Sequence, residues 1–197
     1  MSYILEVCAD SVQSAVAAQE GGAGRVELCS ALVIGGLSPS AAMFRQVKEN
    51  TDLKIRVLLR PRFGDFCYDE YEFQTLAEEV QQFRELGADG VVIGILKPDG
   101  TINMEQMAEL VNAAKGIGIT MHRAFDVCSN PYEALEQCVS LGIDTILTSG
   151  QRSCAWEGRE LLSELVRRAD GRIDILAGAG IGPEVIRELA DYTGVRS

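Results

Sequence analysis

Short β-branched runs alternate with helical stretches along the whole chain. The runs predict strands at Ile4–Val7, Arg25–Leu28, Lys54–Leu59, Gly90–Ile93, Gly118–Met121, Asp144–Leu147 and Arg172–Leu176. The stretches between them predict helices at Ser11–Gln19, Pro39–Glu49, Glu70–Glu85, Met104–Lys115, Pro131–Ser140, Glu157–Ala169 and Pro183–Asp191. Strands that are spaced by helices indicate βα units and a parallel sheet.

Residues at the boundaries of these helices support the assignment. Ser11, Ser38 and Asn130 stand where an N-cap is needed, and the last two precede a proline at the first helical position. Gly87 and Gly142 follow the last turns of two helices, where glycine commonly closes a helix in the left-handed conformation. We therefore expect short turns between the helices and the strands that follow them.

The spacing of the units narrows the choice of architecture. Successive predicted strands begin about 28 residues apart, and such units build either an open doubly wound sheet or a closed barrel. Because no strand carries a Gly-x-Gly-x-x-Gly turn and the repeat is even, we expect an α/β fold of the TIM-type (β/α)8 barrel class. The prediction is about seven βα units, with the eighth strand missing or truncated, in a single domain that spans residues 1–197.

Composition then limits the partners. Acidic residues outnumber basic residues, 29 to 18, which gives a formal net charge of −11 at pH 7. Such a surface repels phosphate backbones and anionic lipids, so we expect no nucleic acid and no membrane as a partner. The chain has no apolar run of the roughly 18 residues that a membrane helix needs, and its first residues do not resemble a signal peptide. The expected location is cytoplasmic, where the six cysteines would remain free thiols.

A Glu-x-Cys pattern ends two neighbouring predicted strands, as Glu6 and Cys8 and as Glu27 and Cys29. The functional side chains of a parallel barrel come from these strand ends, and alternation along each strand places all four toward the interior or the mouth. With the strands in register, the two sulfurs would lie within bonding reach of one ion, and thiolates favour Cu(I) or Zn(II). The alternative is that both thiols are small apolar groups that fill the interior.

Donors for these carboxylates follow the third strand. Arg60 and Arg62 flank Pro61 and would project rigid, bidentate donors from the mouth, which suits a carboxylate or phosphate ligand. The alternative is structural pairing with Glu6 and Glu27, because buried carboxylates require cations, donors or a raised pKa.

The chain contains one histidine, His122, at the end of the fifth predicted strand. It has the phase of Thr120, so it would point inward, where its unperturbed pKa near 6.5 suits general acid–base chemistry and where it can also bind metal. Asp126 would orient the imidazole, whereas Arg123 would pair outside the site. A single histidine is also often a structural residue, and this alternative stays open.

Turns rich in small residues follow the last two predicted strands. Ser149 lies in one, and Gly178 and Gly180 lie in the other, ahead of a predicted helix at Pro183. Bare backbone amides at a helix N-terminus bind anions, and the last strands of barrels often hold phosphate in this way. The alternative is a tight turn without a ligand.

An enzyme hypothesis combines these groups. Glu27, His122 and Asp126 would perform acid–base chemistry on a small anionic metabolite, including a phosphorylated one. The ligand-binding residues would be Glu6, Arg60, Arg62, Ser149, Gly178 and Gly180.

One combination of motifs spans essentially the whole chain: Glu6–Cys8, Gly24–Cys29, Gly35–Ser40, Arg60–Arg62, Gly64–Tyr68, His122–Asp126, Leu147–Gly150 and Gly178–Gly180. In this combination the sequence resembles the CutC family, which is named for copper homeostasis. The resemblance implies a cytoplasmic (β/α)8-type barrel that binds copper and forms homodimers. The cysteines that are the family's proposed copper ligands correspond to Cys8 and Cys29. The favoured hypothesis is therefore a copper homeostasis protein that binds Cu(I) at the C-terminal mouth of the barrel.

The sequence departs from the family pattern at two points. Phe63 stands where the family usually has glycine, which would narrow the mouth. The chain also ends where family members continue with an eighth strand, and this difference would remove part of a phosphate or metal pocket.

Overall fold

A computed structural model describes residues 3–197 and shows strands and helices in strict alternation. The strands are β1 (Glu6–Ala9), β2 (Arg25–Leu28), β3 (Lys54–Leu58), β4 (Gly90–Ile93), β5 (Gly118–Met121), β6 (Thr145–Thr148) and β7 (Asp174–Ala177). The helices are α1 (Val12–Glu20), α2 (Ala41–Asn50), α3 (Glu70–Glu85), α4 (Met104–Ala113), α5 (Pro131–Leu141), α6 (Arg159–Ala169) and α7 (Ile186–Thr193).

The strands form one sheet in chain order, β1-β2-β3-β4-β5-β6-β7, and the described pairs are parallel. This order follows from βα units whose right-handed crossovers set each strand beside the previous one. The expected fold class, α/β of the TIM-barrel type with seven βα units, is confirmed. Beside β7, the Ala177 amide donates a hydrogen bond to the carbonyl oxygen of Ser197 at 3.0 Å. None of the helices in the described range is long and apolar enough to cross a lipid bilayer.

The chain divides into two compact units. The first comprises Ile4–Ile93 and Ala108–Ile119, and the second comprises Gly94–Met107 and Thr120–Ser197 together with Tyr3. The expectation of a single domain stays a prediction.

In the first unit, the strands separate an outer apolar face from an inner face that carries the polar side chains. Val26 of β2 and Val57 of β3 are fully buried on the outer face. Helices α2 and α3 supply Phe44 and Phe83, whose ring centroids are 5.6 Å apart in an edge-to-face contact. This packing fixes the backbone of β2 and β3, so the alternate residues project toward the candidate site.

In the second unit, the ends of α5 are set by local sequence. The side-chain oxygen of Asn130 accepts hydrogen bonds from the amides of Tyr132 and Glu133, with Pro131 at the start of the helix. Gly142 closes the helix at φ +77°, a conformation that favours glycine. The predicted boundaries of this helix are therefore confirmed to within one residue.

Several predicted boundaries are wrong by two or three residues: both ends of β1 and of α7, the starts of α2, α6 and β7, and the end of α4. The N-cap of α2 is Ser40, not Ser38. Ser38 instead bonds to Arg60, whose amide donates to the Ser38 Oγ atom at 2.9 Å and whose carbonyl oxygen accepts from the Ser38 amide at 3.1 Å. This tertiary contact uses Ser38 away from the helix, which begins two residues later than predicted.

Candidate functional site

The two Glu-x-Cys motifs lie on β1 and β2, but they are not in register. Cys8 lies opposite Glu27, and Glu6 lies opposite Arg25. The expectation that the motifs align side by side is therefore wrong: Cys29 is two residues beyond the partner of Cys8, one step further on the same strand face. In this register the Arg25 Nε atom forms an ion pair with the Glu6 carboxylate, and both side chains are buried.

Cys8 presents its thiol to a carboxyl group. The residue is exposed at the end of the chain's first strand, and its Sγ atom lies 3.7 Å from the Glu27 Oε1 atom, to which it donates a hydrogen bond. Desolvation of the sulfur, followed by the charges of Glu27 and Glu6, raises the pKa of the Cys8 thiol well above its usual range. Cys8 is therefore a protonated thiol at neutral pH.

Cys29 lies deeper than Cys8. Its side chain is fully buried in a cluster with Leu58 and Val92, and its Sγ atom donates to the Ala9 carbonyl oxygen at 3.7 Å. Burial, followed by the charge of Glu27, raises the pKa of the Cys29 thiol to about 12. This thiol has apolar surroundings, as expected if the cysteine is a small apolar group that fills the interior.

A glycine turn covers Cys29. A Cβ atom at Gly36 would lie 3.6 Å from the Cys29 Sγ atom and only 2.5 Å from the Leu58 Cδ2 atom. Gly36 also has φ +86°, so both space and backbone conformation require glycine here. The turn follows a short 3-10 helix at Leu32–Ile34 and shields the deeper thiol from solvent.

Glu27 is the buried acid of this strand face, with 5% of its surface exposed. Its Oε2 atom is buried and has no hydrogen-bond partner. Burial, followed by the negative charge of Glu6, raises the pKa of Glu27 to about 8, against smaller opposing effects of the Cys8 hydrogen bond and the Arg25 charge. Glu6 has the cation Arg25 as its partner, and the pKa of Glu27 is raised, as is expected of buried carboxyl groups.

The donor set decides which metal these residues fit. Within residues 3–197, no group of three or more His, Cys, Asp or Glu side chains is arranged to hold a metal ion. Structural zinc sites need four such ligands. The thiols of Cys8, in β1, and Cys29, just after β2, are soft donors, which suit Cu(I) better than zinc.

Beyond β3, the two predicted arginines have different environments. Arg62 pairs with Asp65 at 3.0 Å and with Glu72 at 2.5 Å, and so it organises the segment that leads into α3. Arg60 is 7% exposed, and its Nη2 atom donates to the Gly64 carbonyl oxygen at 2.6 Å. The alternative that these arginines pair with Glu6 and Glu27 is wrong, because Arg62 has other partners and Arg60 forms no ion pair with any described carboxylate.

In the second unit, His122 is buried at the end of β5, and its Nδ1 atom accepts a hydrogen bond from the Ala124 amide at 3.2 Å. The ring lies so close to Gly94 that a Cβ atom there would be 2.6 Å from it. The Ala124 amide therefore orients the imidazole, and the orienting role expected of Asp126 stays a prediction. The catalytic role of His122 stays a prediction.

Asp126 holds the segment after β6. Its carboxylate accepts hydrogen bonds from the amides of Ser149 and Gln151, at 3.0 and 3.2 Å, and from the Thr148 hydroxyl. Arg123 also pairs with it at 2.7 Å, which corrects the expectation that Arg123 pairs elsewhere. The arrangement explains Asp126 as a structural anchor, and its catalytic role stays a prediction.

The three remaining candidates are partly committed to backbone structure. Ser149 is fully buried, and its hydroxyl contacts the Asp126 carboxylate at 3.0 Å and the Arg152 carbonyl oxygen at 2.6 Å. The Gly178 amide donates to the Thr148 carbonyl oxygen at 3.0 Å, as in a strand. Gly180 has φ +68°, as in a tight turn, which is the alternative to anion binding at this position. Ligand binding by all three stays a prediction.

Two residues of the first unit were missed from the sequence. Arg25 lies two residues before Glu27, so it is on the same face of β2. Its pairing with Glu6 could have been predicted only if the register of β1 and β2 had been known. Tyr68 has a buried hydroxyl without a hydrogen-bond partner, and nothing in its sequence context indicates this.

Comparison with known proteins places the whole chain in context. The family model described as "CutC family" matches residues 3–197. A CutC family protein from Bacteroides fragilis is 48% identical over 198 residues, which cover 99% of this chain and 78% of the relative. A CutC family protein from Histophilus somni is 42% identical and covers 97% of this chain and 79% of the relative. Among solved structures, a CutC protein from Streptococcus agalactiae that carries a copper homeostasis name matches with a TM-score of 0.92 at 30% identity, and the match covers 98% of this chain and 96% of that one.

Proposed function

Because the chain belongs to the CutC family, we propose that it is a copper homeostasis protein that binds Cu(I) through Cys8 and Cys29. The observation that carries the proposal is the position of the two thiols on one face of adjacent strands, one step apart. Copper is the cargo in this proposal, which the protein binds and releases.

The chemistry of the two sulfurs supports a soft, monovalent ion. Thiolate sulfur is the softest donor that proteins supply, and two such ligands offer too few positions for tetrahedral zinc. The pKa values of both thiols are raised, so each must lose a proton when copper binds, and copper replaces these protons at the strand ends.

The surroundings support retention of the bound ion. Cys29 is packed against Leu58 and Val92, and this apolar shell limits the access of water and oxidants to the sulfur. Cys8 provides the solvent-facing half of the pair. The site thus combines one accessible ligand with one protected ligand.

The test is an anaerobic titration of the reduced protein with Cu(I) in competition with a chromophoric chelator. We expect one copper per chain in the parent protein and a loss of affinity of at least about a hundredfold in the Cys8→Ser, Cys29→Ser double variant. Circular dichroism of the metal-free variant checks that it remains folded.

The matched control is Cys154→Ser, which removes a half-buried thiol in the second unit. It should bind copper as tightly as the parent protein. Equal affinity of the parent protein and the double variant would refute the assignment of Cys8 and Cys29.

We also propose that the protein acts in the cytoplasm and forms homodimers, as the family resemblance implies. A size measurement in solution, such as sedimentation velocity, tests the dimer. A reducing compartment is required for the thiols to remain available to Cu(I). The enzyme hypothesis, with Glu27, His122 and Asp126 as acid–base residues, stays a second prediction.

A further inference from the structure

Arg60 is a buried cation for which residues 3–197 supply no carboxylate partner. Two arginines of the described chain are buried, Arg25 and Arg60, each 7% exposed. Arg25 pairs with Glu6, whereas Arg60 has no carboxylate partner. Isolated buried charges are costly, and in folded proteins they are normally paired. An arginine of this kind is expected to meet its anion from outside the chain.

The Nε–H group of Arg60 is a donor without an acceptor. Its Nη2 atom donates to the Gly64 carbonyl oxygen at 2.6 Å, and its Nη1 atom donates to the Gly36 carbonyl oxygen at 3.4 Å. The Nε atom is buried and has no hydrogen-bond partner. The guanidinium group is fixed in place by the Phe66 ring, whose centroid lies 4.8 Å from its central carbon. The buried Nε–H group is therefore held rigidly and unused.

A second unused donor comes from the same segment. The Tyr68 hydroxyl oxygen is buried and has no hydrogen-bond partner. The Arg62 guanidinium lies over the Tyr68 ring at 5.5 Å and is itself tied to Glu72, so the ring is held in position. Burial raises the pKa of Tyr68 to about 12, with an opposing effect of the Arg60 charge, so the phenol keeps its proton at neutral pH.

We propose that the segment between β3 and α3 is a binding site for a small oxyanion, a carboxylate or a phosphate group, with Arg60 Nε and the Tyr68 hydroxyl as its donors. An oxyanion supplies both the missing negative charge and two acceptor oxygens, which neither a cation nor a neutral apolar ligand does. The donors of this site do not include the two cysteines, so the proposal does not rest on copper binding.

The donor geometry also defines the recognised group. Two of the Arg60 nitrogens each donate to one backbone carbonyl oxygen, whereas the buried Nε atom has no partner. The site therefore offers the Arg60 Nε–H group and the Tyr68 hydroxyl to two oxygens of one carboxylate or phosphate. Phe63 lies over the same guanidinium at 5.9 Å and is largely exposed, so the remainder of a ligand would contact an aromatic ring.

The experiment follows the Arg60 Nε–H signal by NMR in metal-free protein while inorganic phosphate or acetate is added. The signal is assigned by its loss in Arg60→Lys. We expect a saturable downfield shift with at least one of the two probes. A response to phosphate alone identifies a phosphate site, and a response to acetate alone identifies a carboxylate site. The absence of a saturable shift with both probes would overturn the proposal.

Variants of the tyrosines make the test specific. Tyr68→Phe removes only a hydroxyl that bonds to nothing, so the protein should unfold at the same urea concentration as the parent. Its affinity for the responding probe should fall about tenfold, the effect of one hydrogen bond to a charged group. Tyr71→Phe, at an exposed position on α3, should leave the affinity unchanged. Equal affinity of the parent and Tyr68→Phe would contradict the two-donor site.

A further variant separates this proposal from the function proposed above. The Cys8→Ser, Cys29→Ser double variant should keep the response of Arg60 to the anion while copper binding is lost. A loss of the anion response in this variant, with the fold intact, would show that Arg60 and the cysteines do not form independent sites and would refute the proposal.

Discussion

Cys8 lies directly opposite Glu27 on the neighbouring strand, and its sulfur is 3.7 Å from the Glu27 Oε1 atom. The second cysteine of the pair, Cys29, lies opposite no part of the first motif and is fully buried. The two thiols, which are alike in the sequence, therefore have different polar contacts and different exposure, and substitutions should separate them.

Serine substitutions should affect stability unequally. Cys29→Ser places a hydroxyl in the apolar cluster with Leu58 and Val92, so the free energy of unfolding should fall by about 1–3 kcal/mol. Cys8→Ser keeps a hydrogen-bond donor beside Glu27, and Cys8 is exposed. This variant should change the free energy of unfolding by less than about 0.5 kcal/mol. Urea unfolding of the reduced, metal-free variants measures both values. A larger cost at Cys8 than at Cys29 would contradict the described burial.

Gly36→Ala should be clearly destabilising. The new Cβ atom would lie 2.5 Å from the Leu58 Cδ2 atom, and the backbone at φ +86° already disfavours a side chain. We expect a loss of about 2–4 kcal/mol, the sum of a left-handed backbone penalty and overpacking. Gly22→Ala is the control, because Gly22 has φ +89° but no atom within 4 Å of the new Cβ. Thermal or urea unfolding should show that Gly22→Ala costs only about 1–2 kcal/mol.

Asp126→Ala should loosen the segment after β6. The substitution leaves the amides of Ser149 and Gln151 without their acceptor, and the Gln151 backbone, at φ +57°, loses the contact that stabilises it. We expect a loss of about 2–4 kcal/mol, together with faster proteolysis within residues 149–157. Asp191→Ala, at an exposed position of α7, should change stability by less than about 0.5 kcal/mol. Equal effects of the two variants would contradict the role of Asp126 as an anchor.

Glu79→Gln should change the pH dependence of stability. Burial raises the pKa of Glu79, against the opposing effect of the Ser38 hydroxyl, which donates to its Oε2 atom at 2.7 Å. The folded state therefore holds a proton more strongly than the unfolded state. The resulting stabilisation is complete below the ordinary carboxyl pKa and is lost as the pH rises through the folded-state pKa.

The variant cannot ionise, so its stability relative to the parent protein should increase with pH between pH 4 and pH 7. Urea midpoints at several pH values measure this trend. Glu78→Gln removes a carboxylate at an exposed neighbouring position and serves as the control. A relative stability of Glu79→Gln that is constant or falls with pH would exclude a raised pKa.

Local sequence was sufficient for most of the fold. The bounds predicted for β2, β4, β5 and α3 agree with the structure, because β-branched runs, capping residues and closing glycines all act within a few residues. The boundary of α2 was wrong because Ser38 bonds to Arg60, which is 22 residues away in the sequence. A contact of this kind is invisible to a pattern of local preferences.

The candidate site was predictable in its residue types and strand face but not in its register. The sequence pattern predicted that Glu6, Cys8, Glu27 and Cys29 lie in or next to two neighbouring strands, and in the structure they do. The offset of the two strands places Arg25 opposite Glu6, and the prediction, which considered only the residues at the ends of the strands, omitted Arg25. The partners of Asp126 were missed for a similar reason, because they come from the next βα unit.

The Gly36 turn makes the order of events at the two sulfurs directional. A copper ion that binds as proposed would meet Cys8 first, because Cys29 lies beneath the turn. If both sulfurs bind Cu(I) as proposed, capture would require a rapid encounter followed by a slower local opening, and stopped-flow traces of loading should be biphasic. Release would follow the reverse path, so a small competing thiol would intercept the ion only after the inner bond had broken, and the turn would set the lifetime of the loaded state.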